Sequence, residues 1–336
     1  MTRVSRKLLL SVMAVILTVI ALGTTTFAWF TITNVANLNQ FQTRIASDEG
    51  IEIALGNVNV NFTDIELNKY NVRNITDLSW VTTITTEDVE EYIELTYGAD
   101  YRFEHLTSTN GTSFNPFISG SVGASPTTDG LLQLPLHFRS ADVTSVLWTD
   151  ASLSGVETTE PLPQWVSDVD SFTDVDGVVK PLGTNITVDP SNAMRVSVTG
   201  YLTSADATLV YEKPADANNL VLNTGNLATT ELDPDGVADN GDEIAYSDLG
   251  AHSYYLEKTG LEPIGIDAAT TVGTTTDLGT GIEVLTLVDD ARVSGMTYYN
   301  TLLVNIWIEG WDPNAYNAIL DKFVFLSFRF EGPSQD

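Results

Sequence analysis

Cysteine is absent from the 336-residue chain, which removes disulfides, thiol catalysis and thiolate metal sites together. If the protein works outside a cell, its stabilisation has another source. Basic residues are scarce: 15 Lys+Arg stand against 45 Asp+Glu, a formal charge of −30. A chain so acidic repels nucleic acid and anionic membrane surfaces, so neither is expected as a partner. Histidine is limited to His105, His137 and His252, none in the H-E-x-x-H spacing or another metal-ligand pattern. The G-x-S-x-G elbow, a G-x-G-x-x-G turn before a helix and the phosphate loop are missing as well. Forty-five carboxylates offer too many pairs for spacing alone to choose a glycosidase dyad. No catalytic residues are expected.

What is present begins at the N-terminus. Arg3, Arg6 and Lys7 are the only charges before Arg44, and they precede the apolar run Leu8–Leu22, interrupted by Ser11 and Thr18. As a helix that run spans about 22 Å at roughly 1.5 Å per residue, short of the ~30 Å hydrocarbon core of a bilayer. The layout is that of a signal peptide over residues 1–28, with Thr26 and Ala28 as the small residues before a cut between Ala28 and Trp29. Its loss removes three basic residues and no acidic one, taking the formal charge from −30 to −33. The alternative is an uncleaved anchor, with Phe27, Trp29 and Phe30 as interfacial aromatics.

Beyond residue 50 the pattern is strand-like. Ile51, Ile53 and Leu55 alternate with Glu52 and Ala54, and Val58, Val60 and Phe62 alternate with polar residues. Further strands are expected over Tyr92–Tyr97, Leu131–Phe138, Ser145–Trp148, Met194–Leu202, Ala207–Glu212, Gly281–Val288, Leu302–Glu309 and Phe323–Phe330. One helix is expected over Pro313–Leu320, capped by Asp312 with proline at its first position. The reading is an all-β chain: a jelly-roll or immunoglobulin-like β-sandwich over 51–331, preceded by the signal helix. A turn-rich stretch at about 203–280 reads as a loop-rich insertion.

Two segments carry candidate function. Between Trp29 and Ser47 there is no acidic residue, and Phe30, Ile32, Val35, Leu38 and Phe41 are spaced among Thr, Asn and Gln. An extended segment of this kind, within 29–50, suits addition to an open sheet edge and head-to-tail assembly. It equally suits a first strand within its own domain, or a linker. The second segment, Glu231 to Asp242, follows twelve-residue calcium-loop spacing: oxygen donors at Glu231, Asp233, Asp235, Asp239 and Asp242, the carbonyl of Val237, and Gly236 at the turn. Glu231 is longer and Asp242 shorter than the usual first and last ligands, and a solvated acidic turn is the alternative. Calcium is the one cofactor expected. Trp80, Trp148, Trp165, Trp307 and Trp311 leave open a carbohydrate-binding, lectin-like module.

The run Lys7–Leu22 followed by Gly23-Thr24-Thr25-Thr26-Phe27-Ala28-Trp29-Phe30-Thr31 resembles the signals of the TasA and camelysin family, secreted proteins processed by the dedicated peptidase SipW. Val304–Pro313 and Leu134–Arg139 are similar to stretches of surface proteins with such signals. The resemblance implies a secreted or cell-surface protein of the extracellular biofilm matrix, a jelly-roll fibre subunit joined by an N-terminal strand. Its partners would be further copies, other matrix components and, during export, the signal peptidase. Membrane contact would be through the signal alone. The protease activity attributed to camelysin has no support in the three histidines.

Overall fold

Alternating apolar and polar residues place one face of each long strand inward, and two sheets follow from it. The computed structural model describes residues 36–37, 41–47, 50–59, 69–99, 101–117, 127–156, 161–214, 231–232, 243–245, 248–261, 271–293, 295, 297–316 and 324–333. The proposed signal peptide, including Ala28 and Trp29, lies outside them, as do Val60 and Phe62. The nine long strands are β1 (Phe41–Ser47), β2 (Ile51–Leu55), β3 (Leu132–Ser140), β4 (Ser145–Ser154), β5 (Met194–Leu202), β6 (Ala205–Glu212), β7 (Ile282–Thr286), β8 (Tyr298–Glu309) and β9 (Val324–Glu331). The larger sheet runs β6-β5-β8-β3-β2, with the short strand His105–Ser108 parallel to the end of β8. The smaller runs β7-β4-β9-β1 and ends on the two-residue strand Thr83–Ile84.

The chain is all-β in class, as the alternation led us to expect. β8 is the axis of the larger sheet: it pairs antiparallel with β3 from Ile306↔Leu132 to Tyr298↔Ser140 and with β5 from Ile308↔Met194 to Leu303↔Thr199. Val324, Leu326, Phe328 and Phe330 of β9 share the buried face read from the sequence. They join Leu132, Leu134, Leu136 and Phe138 of β3 in one apolar core with Trp148 of β4. Phe138 meets Phe330 edge-on at 5.2 Å between centroids, and Trp148 meets Phe328 at 5.9 Å. A bulge in β4 between Trp148 and Asp150 bends the strand there, and the indole N–H donates to the Asp150 carbonyl at 2.9 Å.

The helical expectations need correction. Tyr92–Tyr97 is not a strand but the end of helix α1 (Thr86–Tyr97). A capping box decides it: the Asp88 N–H donates to the Thr85 hydroxyl at 3.3 Å and the Thr85 N–H to the Asp88 carboxylate at 3.1 Å. Val89, Tyr92 and Ile93 then share one buried face at helical spacing. Pro313–Tyr316, the described part of the expected C-terminal helix, is a turn; Asp312 accepts from the Asn314 N–H at 2.8 Å, but its other oxygen is held by Arg195. A second helix, α2 (Ala251–Thr259), buries Ala251, Tyr254 and Tyr255. Gly250 precedes it at φ +49°, where a Cβ would collide with the Pro313 carbonyl. Within the stretch read as an insertion, β6 is therefore a sheet strand and α2 a core element.

Truncating Phe330→Ala removes a fully buried ring from between the sheets and should cost about 3–5 kcal/mol in urea-monitored unfolding. Arg329→Ala, one residue away on the wetter face, should stay within about 0.5 kcal/mol.

Candidate functional site

β1 is the longest described stretch of the candidate assembly segment. It lies parallel to β9, Phe41 opposite Val324 through Ser47 opposite Phe330. Its other side meets Thr83–Ile84 only at Ala46 and Ile45. Ile45 is fully buried in the main core, and the Ser47 hydroxyl donates to the Ile51 carbonyl at 2.8 Å, tying β1 to the first residue of β2. Of the five apolar assembly residues, Phe41 begins this strand, while Phe30, Ile32, Val35 and Leu38 lie outside the described residues. Upstream, Ala36–Asn37 pairs antiparallel with Arg102–Phe103. The described portion thus forms a strand of its own domain, one of the three arrangements open from the sequence.

The calcium-loop residues are not brought together among the described residues. Glu231 pairs through its backbone with Ala245 in a two-residue ladder, and Asp233, Asp235, Val237, Asp239 and Asp242 lie outside the description. Among described residues no group of three His, Asp or Glu is placed to hold a metal. The histidines sit in packing roles. His137 lies between the Gly56 carbonyl and the Tyr299 hydroxyl, at 2.5 and 2.7 Å. His252 stacks on Trp311, and His105 is buried beside Tyr255, where loss of solvent lowers its pKa to about 4.

The five tryptophans are likewise engaged. Trp148 and Trp307 are fully buried. The Arg139 guanidinium covers Trp80 at 4.4 Å and itself donates to Glu52 at 2.6 Å. Trp165 packs with Phe172, Tyr254 and Tyr316, and Trp311 with Phe117.

Sequence reasoning missed a buried charge cluster at one corner of the larger sheet. Antiparallel register sets Arg195 of β5 opposite Glu212 of β6, and both are buried. The Arg195 Nη2 lies 2.6 Å from Glu212 Oε2 and 2.6 Å from Asp312 Oδ2, while Nη1 donates to the carbonyls of Asn192 and Met194 at 3.0 Å each. Burial works against the charged guanidinium, but the Glu212 and Asp312 carboxylates outweigh it and raise its pKa. Glu309, at the end of β8, is a third buried carboxyl. It accepts from the Trp307 indole N–H at 3.2 Å and the Trp311 backbone N–H at 3.3 Å. Burial pushes its pKa up to about 7, against the opposing pull of these donors and Arg195.

Comparison with family models, with curated proteins and with solved structures returns no match.

Glu309 has a consequence for stability. The folded chain keeps its proton to about pH 7, whereas an unfolded glutamate releases it near about 4.3. Between those values the folded state binds more protons, so this group's contribution falls as pH rises, leaving a penalty on the order of 3 kcal/mol above pH 7. Glu309→Gln should therefore unfold at higher urea than the parent at pH 8, and the difference should close by pH 4. A difference independent of pH would contradict the assignment.

Proposed function

We propose that this is an exported structural or adhesive subunit of the cell surface or extracellular matrix, assembled from copies of itself by its N-terminal segment. The observation that carries the reading is the placement of β1. It runs beside β9 from Val324 to Phe330 on one side, and on the other, among the described residues, it pairs with the short strand Thr83–Ile84 and donates from the Ser47 N–H to the Thr82 carbonyl at 2.9 Å. The same edge of β9 suits the equivalent strand of another copy, since strand addition relies on main-chain groups and alternating side-chain pockets. A contact of this kind joins unlike surfaces and extends without closing. The acid-free run from Trp29 to Ser47 contrasts with an acidic body, so charge repulsion between copies would be smallest where they meet.

The sequence reading adds export by the signal segment and the resemblance to matrix proteins. No residue is assigned to catalysis on a bound substrate: the three histidines pack against Tyr255, Tyr299 and Trp311. A carbohydrate-binding role would rest on Trp80, Trp165 and Trp311, the half-buried indoles.

Negative-stain microscopy of the protein beginning at Trp29 should show filaments that shorten when a peptide spanning residues 29–47 is added in excess. Monodisperse particles at every concentration would overturn the assembly reading, and monomers that bind glycan arrays would favour the lectin-like one.

A further inference from the structure

The corner organised by Arg195 holds a second arrangement, independent of strand assembly. Asp189 caps the short 3₁₀ turn Pro190–Ala193, its Oδ1 accepting from the Ser191 N–H at 3.0 Å and the Ser191 hydroxyl at 2.5 Å. Its Oδ2 lies 2.6 Å from the Lys213 ammonium, which follows directly on β6. That same Nζ donates to the side-chain carbonyl of Asn192 at 3.1 Å. The trio is withdrawn from water: Lys213 and Asp189 side chains are 13% and 7% exposed, and Asn192 is 4% exposed. Arg195 pins both ends, through the Asn192 carbonyl and through Glu212, the residue before Lys213. A Cβ on Gly155 would collide with Asp189 and Pro190, so glycine there leaves the space the trio occupies.

A lysine, a carboxylate and a carboxamide at hydrogen-bond distance, sheltered from water, are the groups needed to form an amide between two side chains. We propose that Lys213 and Asn192 are the site of an autocatalytic cross-link of this kind, with Asp189 as the proton acceptor. Asp189 takes a proton from the Lys213 ammonium across the 2.6 Å contact, leaving a neutral amine. A turn of the Asn192 carboxamide presents its carbon, which lies one C=O bond (about 1.2 Å) beyond the oxygen now accepting from Nζ. The lone pair of Nζ forms a bond to Cγ, and the Cγ–Nδ2 bond breaks. Nδ2 leaves as ammonia, taking one proton from the amine, and the proton held by Asp189 converts it to ammonium. No oxidant or reductant is required. The bond would staple the start of β5 to the end of β6, the outer strand of the larger sheet. In a chain without cysteine it is a covalent brace that reducing conditions leave intact.

Intact-mass measurement of the folded protein tests this. The cross-linked parent should be lighter than its sequence by about 17 Da, one ammonia. A proteolytic digest should contain a branched fragment joining Asn192 to Lys213. Lys213→Arg should restore the full mass. Asn192→Asp, of nearly equal size, should lose water, about 18 Da, and arrive at the same final mass as the parent. Asp189→Asn should stay at full mass under native conditions; cross-linking that persists there would overturn the role given to Asp189. A folded parent at its full sequence mass, with no branched fragment, would overturn the proposal.

Discussion

A guanidinium removed from water tolerates no missing partner, and Arg195 is the constraint on which this end of the protein depends. Withdrawing one charge from solvent costs several kcal/mol, and losing one member of a buried pair costs about 3–5 kcal/mol. Arg195 meets the requirement with two carboxylates and two backbone carbonyls drawn from separate stretches of chain. Each partner is thereby fixed: β6 in its register, the turn after β8 against β5, and the 3₁₀ turn before β5 in its place. The charge count also explains Glu309. One cation already serves two carboxylates, so a third carboxyl buried nearby is more stable with its proton.

The same corner shows how a buried polar network can help order one end of a strand at the sheet edge. β6 is the outermost strand, and residues 204–206 and 208 are exposed. Its inner end, by contrast, carries Val210 and Tyr211 into the core and Glu212 into the charge cluster. Past Glu212 the chain meets Lys213, held by Asp189 and Asn192. The strand is thus anchored at one end by charge and left wet at the other.

Much of the sandwich was legible because apolar and polar residues alternate along the strands, even where, as at Arg195 and Ser197 of β5, the polar positions are buried as well. β2, β3, β5 and β9 carry that signal in their own residues. Tyr92–Tyr97 misled because tyrosine, isoleucine and threonine favour strands, while the deciding information sat upstream in Thr85 and Asp88. α2 was illegible for a different reason: Tyr254 and Tyr255 are its large buried residues, and no apolar stripe marks the helix. The small ribbons Gln164–Val166 with Asn185–Thr187 and Ser171–Thr173 with Val179–Pro181 are too short for alternation to register. The charge cluster was hidden by distance, since Arg195 and Asp312 stand 117 residues apart and only the pairing of β5 with β8 brings them together.

The parallel pairing of β1 with β9 also sets an order of events. Synthesis from the N-terminus presents residues 41–47 well before residues 324–331. Until then β1 has, among the described residues, the stretch Thr82–Ile84 beside it, and Ile45 has no completed layer to enter. Contacts that span nearly the whole chain are slow to form because so much of it must be ordered before they repay the loss of freedom. Pairing of β1 with β9 therefore waits until residues 324–330 have been made.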